Sequence, residues 1–241
     1  MDKERNELLL KAKLYESTEK FDLMFEAINK FVELGPSISD DERVILNIGY
    51  KNVTTNKRRA WRELIKVETE ERSKGNKNQC SYANELRLEV ENDILSHTNK
   101  ILEMLDKYLI PKSINTESKI YFIKMKADYL RYKAEVKIDN EWINSYKESL
   151  SAYYEAQKLA IDNLPVSNPL RLGIALNLSV LWYEVICDKE NAVKVAKSSY
   201  DEAIKIIDEL DKNKSKETIL IIQLLKDNLG LWNNDNEEGS N

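Results

Sequence analysis

The segment Tyr50-Lys-Asn-Val-Thr-Thr-Asn-Lys-Arg-Arg-Ala-Trp-Arg62 decides how this chain is read. It lies within residues 41–73, where Gly49 is the only glycine or proline, so the whole stretch reads as one long helix. At about 100° per residue, Lys51, Arg58 and Arg62 fall on one narrow stripe of that helix. Leu46, Val53, Ala60, Leu64 and Val67 fall on the opposite face. One side is thus built to pack and the other carries aligned cations.

The surrounding composition makes those cations conspicuous. The chain has 241 residues, with 37 lysines and arginines against 42 aspartates and glutamates, a formal net charge of −5. General binding to nucleic acid or to an anionic membrane needs a broadly basic surface, so neither partner is expected, and any anion site must be local. Six glycines and four prolines leave few turn or strand signals, so the fold class is all-α. No apolar run is long enough to span a bilayer, and the charged start Met1-Asp-Lys-Glu-Arg does not read as a secretory signal. Cys80 and Cys187, far apart, read as reduced packing thiols in a cytoplasmic setting.

Working outward, apolar periodicity predicts nine helices. The first covers residues 2–16, with Ser17 as a candidate N-cap for the next. The second carries Phe21, Met24, Phe25, Ile28, Phe31 and Val32 and stops at Gly35-Pro36. Ser39-Asp40-Asp41-Glu42 has the form of a capping box that opens the long third helix. A polar loop at 73–78 leads to a fourth helix near 80–108, and others follow at 115–138, 141–163, 169–186, 189–210 and 215–233. Asp139-Asn140 reads as a turn, and Pro169 suits the first turn of helix seven. Residues 234–241 read as an acidic disordered tail. Short connections imply an antiparallel array in a single domain over 1–233. The helices are too unequal, and lack the motif, for a tetratricopeptide repeat.

Catalytic and metal chemistry is not indicated. His97 is the only histidine, and metal sites need several convergent ligands. Paired Glu-x-x-His motifs, a glycine-rich phosphate loop and a Gly-x-Ser-x-Gly elbow are all missing from the sequence. No catalytic residue, metal or cofactor is therefore expected.

Three further stretches break the helical pattern. Arg131 and Glu135, one turn apart beside Tyr132, read from spacing alone as a surface ion pair. Asn177 and Glu184 interrupt an apolar helix on the side of Val180; either a bound peptide or a fixed internal hydrogen bond would account for them. In the last helix Ile221, Leu224, Leu225, Asn228 and Leu231 form an apolar stripe holding one asparagine, which reads as core.

Together these stretches resemble the 14-3-3 family over about residues 2–232. The resemblance rests on Gly49-Tyr-Lys-Asn-Val53 with Arg58 and Trp61-Arg62, and on Tyr129-Leu-Arg-Tyr-Lys-Ala-Glu-Val136. It also rests on Asn168-Pro-Leu-Arg-Leu-Gly-Ile-Ala-Leu-Asn-Leu-Ser-Val180 with Tyr183-Glu184, and on Gln223-Leu-Leu-Lys-Asp-Asn-Leu-Gly-Leu-Trp232. It implies nine antiparallel helices around a concave amphipathic groove and an adaptor that binds phosphoserine or phosphothreonine peptides of client proteins. Lys51, Arg58, Arg131 and Tyr132 would then contact the phosphate, supported by Arg62 and Glu135. Asn177 and Asn228 would hold the peptide backbone and Glu184 would orient nearby donors. Leu176, Val180, Ile221, Leu224 and Leu231 would form the apolar wall.

The resemblance further implies a homodimer, or a heterodimer with a paralogue, with Lys20 and Asp93 keeping one salt bridge across the interface. Leu23 and Glu89 stand where the family has a second ion pair, and Leu86 replaces a tyrosine. Ala60 replaces a serine whose phosphorylation would open the dimer, so that route is expected to be missing. In the last helix Lys226 and Gly230 replace an arginine and a threonine. The alternative from a different class is a helical scaffold that binds partners through apolar surfaces, independently of phosphorylation.

Overall fold

A computed structural model describes residues 2–136, 140–206 and 216–234. The described residues form nine helices in the expected order, without strands. They are α1 (Asp2–Ser17), α2 (Phe21–Leu34), α3 (Asp40–Ser73), α4 (Lys77–Met104), α5 (Thr116–Val136), α6 (Asn140–Asn163), α7 (Pro169–Val180), α8 (Lys189–Ile204) and α9 (Lys216–Asn234). Two of them run on into π-helical turns, α4 through Leu105–Leu109 and α7 through Leu181–Val185. The expected turn residue Asp139 and tail residues 235–241 lie outside the described residues. None of the helices among the described residues is long and apolar enough to cross a membrane.

Helix ends follow the local chemistry, with two corrections. The Ser39 side chain accepts from the Glu42 backbone N–H while Glu42 reaches back to the Ser39 N–H, a complete capping box. Asn168 caps α7 by accepting from Leu170 N–H at 2.8 Å, with Pro169 in the first turn. Ser17, in contrast, does not cap α2. It is the last residue of α1, where its hydroxyl donates to the Leu14 carbonyl at 2.9 Å, and Lys20 precedes α2 without a side-chain cap. The loop expected at 73–78 is shorter, because Asn76 ends it and α4 already begins at Lys77.

The chain divides into two compact units, Met1–Ile114 and Asn115–Asn241. In the first, α1 packs on α2, α2 on α3 and α3 on α4. Met24, Ile28, Phe31, Leu46, Tyr50, Val53, Ile94 and Met104 are buried there. Full burial of each such side chain stabilises by about 1.5–3 kcal/mol relative to exposure. The Tyr50 hydroxyl donates to Asn29 Oδ1 at 2.9 Å, which satisfies the polar end of a fully buried ring. Arg5 ties α1 to the segment that enters α3. It donates to Glu42 at 2.8 Å and to the Gly35 and Ser37 carbonyls, and its guanidinium lies 3.9 Å from the Phe31 ring centroid.

In the second unit α5 packs on α6, α6 on α7 and α7 on both α8 and α9. Phe122, Met125, Leu130, Tyr153, Leu172, Ile174, Leu178 and Leu225 are buried. The two cysteines depart from expectation. Cys80 is only half-buried and Cys187 is exposed, with φ at 59°, so neither is a core thiol.

Candidate functional site

On α3 the cation stripe faces away from the packed side. Lys51 and Arg62 are exposed and Arg58 is half-buried, while Leu46 and Val53 are 1% and 2% exposed. The opposite face changes character along its length. It is core as far as Thr54, but Ala60 and Val67 are exposed. Beyond Thr54 the helix pairs with α4 through polar contacts. Trp61 Nε1 donates to Glu91 at 2.9 Å, and Arg87 bridges Glu68 (2.9 Å) and Glu91.

The second unit supplies the other half of the expected residues. Arg131 is not on the surface. Its side chain and that of Glu135 are 8% and 9% exposed, and Arg131 Nη1 donates to Glu135 at 3.2 Å. The surface ion pair expected from spacing is therefore a buried one. The Arg131 guanidinium also lies 4.9 Å from the Tyr132 ring centroid, and Tyr132 packs edge-on to Tyr129.

Sequence reasoning missed the centre of this cluster. Asp128 Oδ2 accepts from Lys124 Nζ at 2.8 Å; its Oδ1 accepts from the Tyr153 hydroxyl and from Asn177 Nδ2 at 2.7 Å. Arg131 Nε donates to the Tyr153 oxygen at 3.3 Å. Burial alone would raise the Asp128 pKa, but Lys124, Arg131 and the Tyr153 hydrogen bond outweigh it and hold the carboxyl below its ordinary range. Burial and the Asp128 charge raise the Tyr153 phenol well above its ordinary value. Lys124, Asp128 and Arg131 at i, i+4 and i+7 were legible as one face of α5. Tyr153, from another helix, carried no such signal. Asn177 now has its explanation from within the chain, an internal hydrogen bond.

The remaining expected residues separate. Leu176, Val180 and Ile221 are half-buried and pack against the core of Ala192, Ala196, Leu225 and Trp232. Leu224 and Leu231 are instead 41% and 64% exposed. The stripe expected as core on α9 is thus only partly core. The buried line runs through Thr218, Ile222, Leu225 and Trp232, and Asn228 lies half-buried beside it. Glu184 is exposed rather than buried, and it lies in the π-helical turn, where Ile186 N–H bonds to the Leu181 carbonyl.

At the expected dimer face, Lys20 is exposed, and Leu23 and Leu86 are 42% and 49% exposed. Asp93 already bonds within the chain, to Lys57 at 3.3 Å. His97 Nδ1 lies 2.7 Å from the Asp93 carbonyl oxygen and its Nε2 lies 3.3 Å from Asp22. Among the described residues, no group of three or more histidine, cysteine or acidic side chains could hold a metal ion.

Comparison with known proteins agrees on one relationship. The family model described as 14-3-3 protein matches residues 11–233. The chain is 42% identical over 240 residues to the 14-3-3-like protein GF14 epsilon of Arabidopsis thaliana, covering 99% of this chain and 94% of that one. It is 38% identical over 239 residues to 14-3-3 protein 7 of Solanum lycopersicum, covering 99% and 95%. It is also 38% identical over 237 residues to human 14-3-3 protein beta/alpha, covering 98% and 96%.

Proposed function

Because the chain belongs to the 14-3-3 family, whose members are non-enzymatic phosphopeptide-binding adaptors, we propose that Lys51, Arg58, Arg131 and Tyr132 hold the phosphate of a client phosphoserine or phosphothreonine. Arg62 and Glu135 support them, Asn177, Asn228 and Glu184 hold and orient the peptide backbone, and Leu176, Val180, Ile221, Leu224 and Leu231 give it an apolar wall. The family match runs through both compact units, which supports treating residues 1–233 as one functional domain.

The observation that carries this reading is the buried, hydrogen-bonded guanidinium of Arg131 on a helix whose sequence resembles the family motif. A phosphate carries about −1.5 to −2 charge and three acceptor oxygens at neutral pH. Guanidinium groups meet such oxygens through paired, charge-assisted donors. The α5 cluster balances Lys124 and Arg131 against Asp128 and Glu135, so it is neutral by itself. In this proposal the further positive charge is that of Lys51, Arg58 and Arg62 on α3. A side-chain carboxylate, with about half the charge, is a poor substitute.

The test is fluorescence anisotropy with an Arg-Ser-x-pSer-x-Pro peptide and its unphosphorylated twin. The phosphorylated peptide should bind far more tightly, and equal affinity for the two would sink the proposal. Arg58→Ala or Arg131→Ala should each weaken phosphopeptide binding by about 2–5 kcal/mol. Client capture that survives phosphatase treatment would favour the phosphate-independent scaffold, for which the exposed Leu220, Leu224 and Leu231 provide the surface.

A second copy of the chain, or a paralogue, completes the proposal. Leu10, Leu14 and Leu86 are 60%, 57% and 49% exposed in the first unit, apolar side chains that a partner subunit would cover. The Lys20–Asp93 bridge would share Asp93 with Lys57. Sedimentation equilibrium should find a dimer, and a monomer at micromolar concentration would remove this part. A cytoplasmic adaptor fits the family and the unpaired cysteines.

A further inference from the structure

Asp128 contacts no phosphate in the reading above, yet it links three helices. It sits on α5, its side chain is 14% exposed, and it accepts from Tyr153 on α6 and Asn177 on α7 as well as from Lys124 on its own helix. An ionised carboxylate only accepts hydrogen bonds. That single property orients what surrounds it. Asn177 must present its NH2 to Asp128, so the amide flip is fixed and its carbonyl oxygen is turned away from the carboxylate. Tyr153 has one proton, which goes to Asp128, so the phenolic lone pairs are left for Arg131 Nε at 3.3 Å. The Arg131 Nε–H is thereby occupied, and Nη1 is held by Glu135.

We propose that Asp128 and Tyr153 are positioning residues for peptide recognition, fixing the aim of the Arg131 guanidinium and the orientation of the Asn177 amide before a client arrives. This rests on the function proposed above. Charge-assisted bonds inside a largely buried cluster hold side-chain directions far better than solvated ones do. A site whose donors are already aimed loses less freedom when its ligand binds.

The sign of one substitution separates positioning from simple charge. Asp128→Asn removes a negative charge beside Arg131 and Lys124. By electrostatics alone it should tighten phosphate binding. By positioning it should weaken it, because an asparagine amide no longer dictates the hydrogen bonds of Asn177 and Tyr153. Tyr153→Phe removes one hydroxyl with no change of charge and leaves the Arg131 Nε–H without its acceptor. Both variants are to be titrated with the pSer peptide, with folding followed by circular dichroism.

The expected result is at least a ten-fold rise in Kd for each, at native secondary structure. In an Asn177→Ala background the effect of Asp128→Asn should shrink, since part of it acts through that amide. Unchanged or tighter binding by folded Asp128→Asn, or full additivity with Asn177→Ala, overturns the proposal. If Asp128→Asn does not fold, Tyr153→Phe decides alone: ten-fold weaker binding supports the proposal and unchanged binding overturns it. A parent protein that distinguishes the two peptides while the variants bind as well as it does removes this inference and leaves the adaptor function intact. A parent that binds both peptides equally removes both.

Discussion

Gly49 is the position at which a single methyl group should do measurable harm. It is buried on α3, two residues before the first cation of the stripe. A Cβ added there would lie 2.2 Å from Ile28 Cδ1 and 3.5 Å from Met24 Cε. Carbon atoms pack best at about 3.5–4.0 Å, so Ile28 would have to retreat by roughly 1.5 Å. Ile28 and Met24 are 2% and 0% exposed, and the core around them leaves little room for that retreat. Overpacking of this kind costs about 1–3 kcal/mol. Alanine's better helix propensity offsets about 1 kcal/mol of it.

Gly49→Ala should therefore lose up to about 2 kcal/mol net. Urea unfolding followed by tryptophan fluorescence measures the change. Ile28→Val deletes the clashing Cδ1 and should by itself cost about 0.5–1.5 kcal/mol. The double variant should lose less than the sum of the two by roughly 1 kcal/mol. A Gly49→Ala protein more stable than the parent, or a double variant that is simply additive, would refute the packing argument.

The other expectations are shorter. Gly230 is also helical, but a Cβ there meets nothing within 4 Å. Gly230→Ala should stabilise by about 0.5–1 kcal/mol, the opposite sign to Gly49, in the same urea assay. Ser39→Ala removes the α3 capping box and should cost about 1 kcal/mol, seen as a lower urea midpoint. Glu68 accepts from Arg87, and this bond, outweighing burial, holds its carboxyl below the ordinary range. A depressed carboxyl contributes stability that is complete above its unfolded value, about 4.3, and is lost as pH falls through the folded one. Glu68→Gln should thus destabilise at pH 7 and differ less from the parent near pH 3, and a gap of constant size in urea unfolding would contradict the assignment.

How much was legible from sequence depended on whether the signal was local. Ser39 and Glu42 are neighbours along the chain and their capping box forms as read, and Pro169 takes the first turn of α7, where Asn168 adds a cap that had not been read. The nine helices were legible for the same reason, since breakers and apolar spacing act within a few residues. The α9 stripe was less so: Leu225 is buried and Ile221 packs against the same core, but Leu224 and Leu231 are exposed although they are as apolar as the buried Ile222 and Trp232. Spacing cannot say which of several apolar side chains on one helix meet α8. The π-helical turn at Leu181–Val185, where Glu184 lies, was not legible, because no glycine or proline announces it. The Asp128 cluster stayed hidden because Tyr153 and Asn177 reach it from 25 and 49 residues away.

The pairing of helices within each unit also bears on how fast the protein forms. In both units the main partners are consecutive in sequence, α1 with α2, α3 with α4, α5 with α6, α7 with α8 and α8 with α9. Each pairing closes only a short connection, so little chain entropy is lost before packing repays it. Among small two-state domains, helical topologies of low contact order fold in microseconds to milliseconds. On the ribosome, where about 5–20 residues are added each second, α1 through α4 can pack long before α9 has been made. The cation-bearing α3 would then be shaped by its own neighbours before the helices of the second unit are complete.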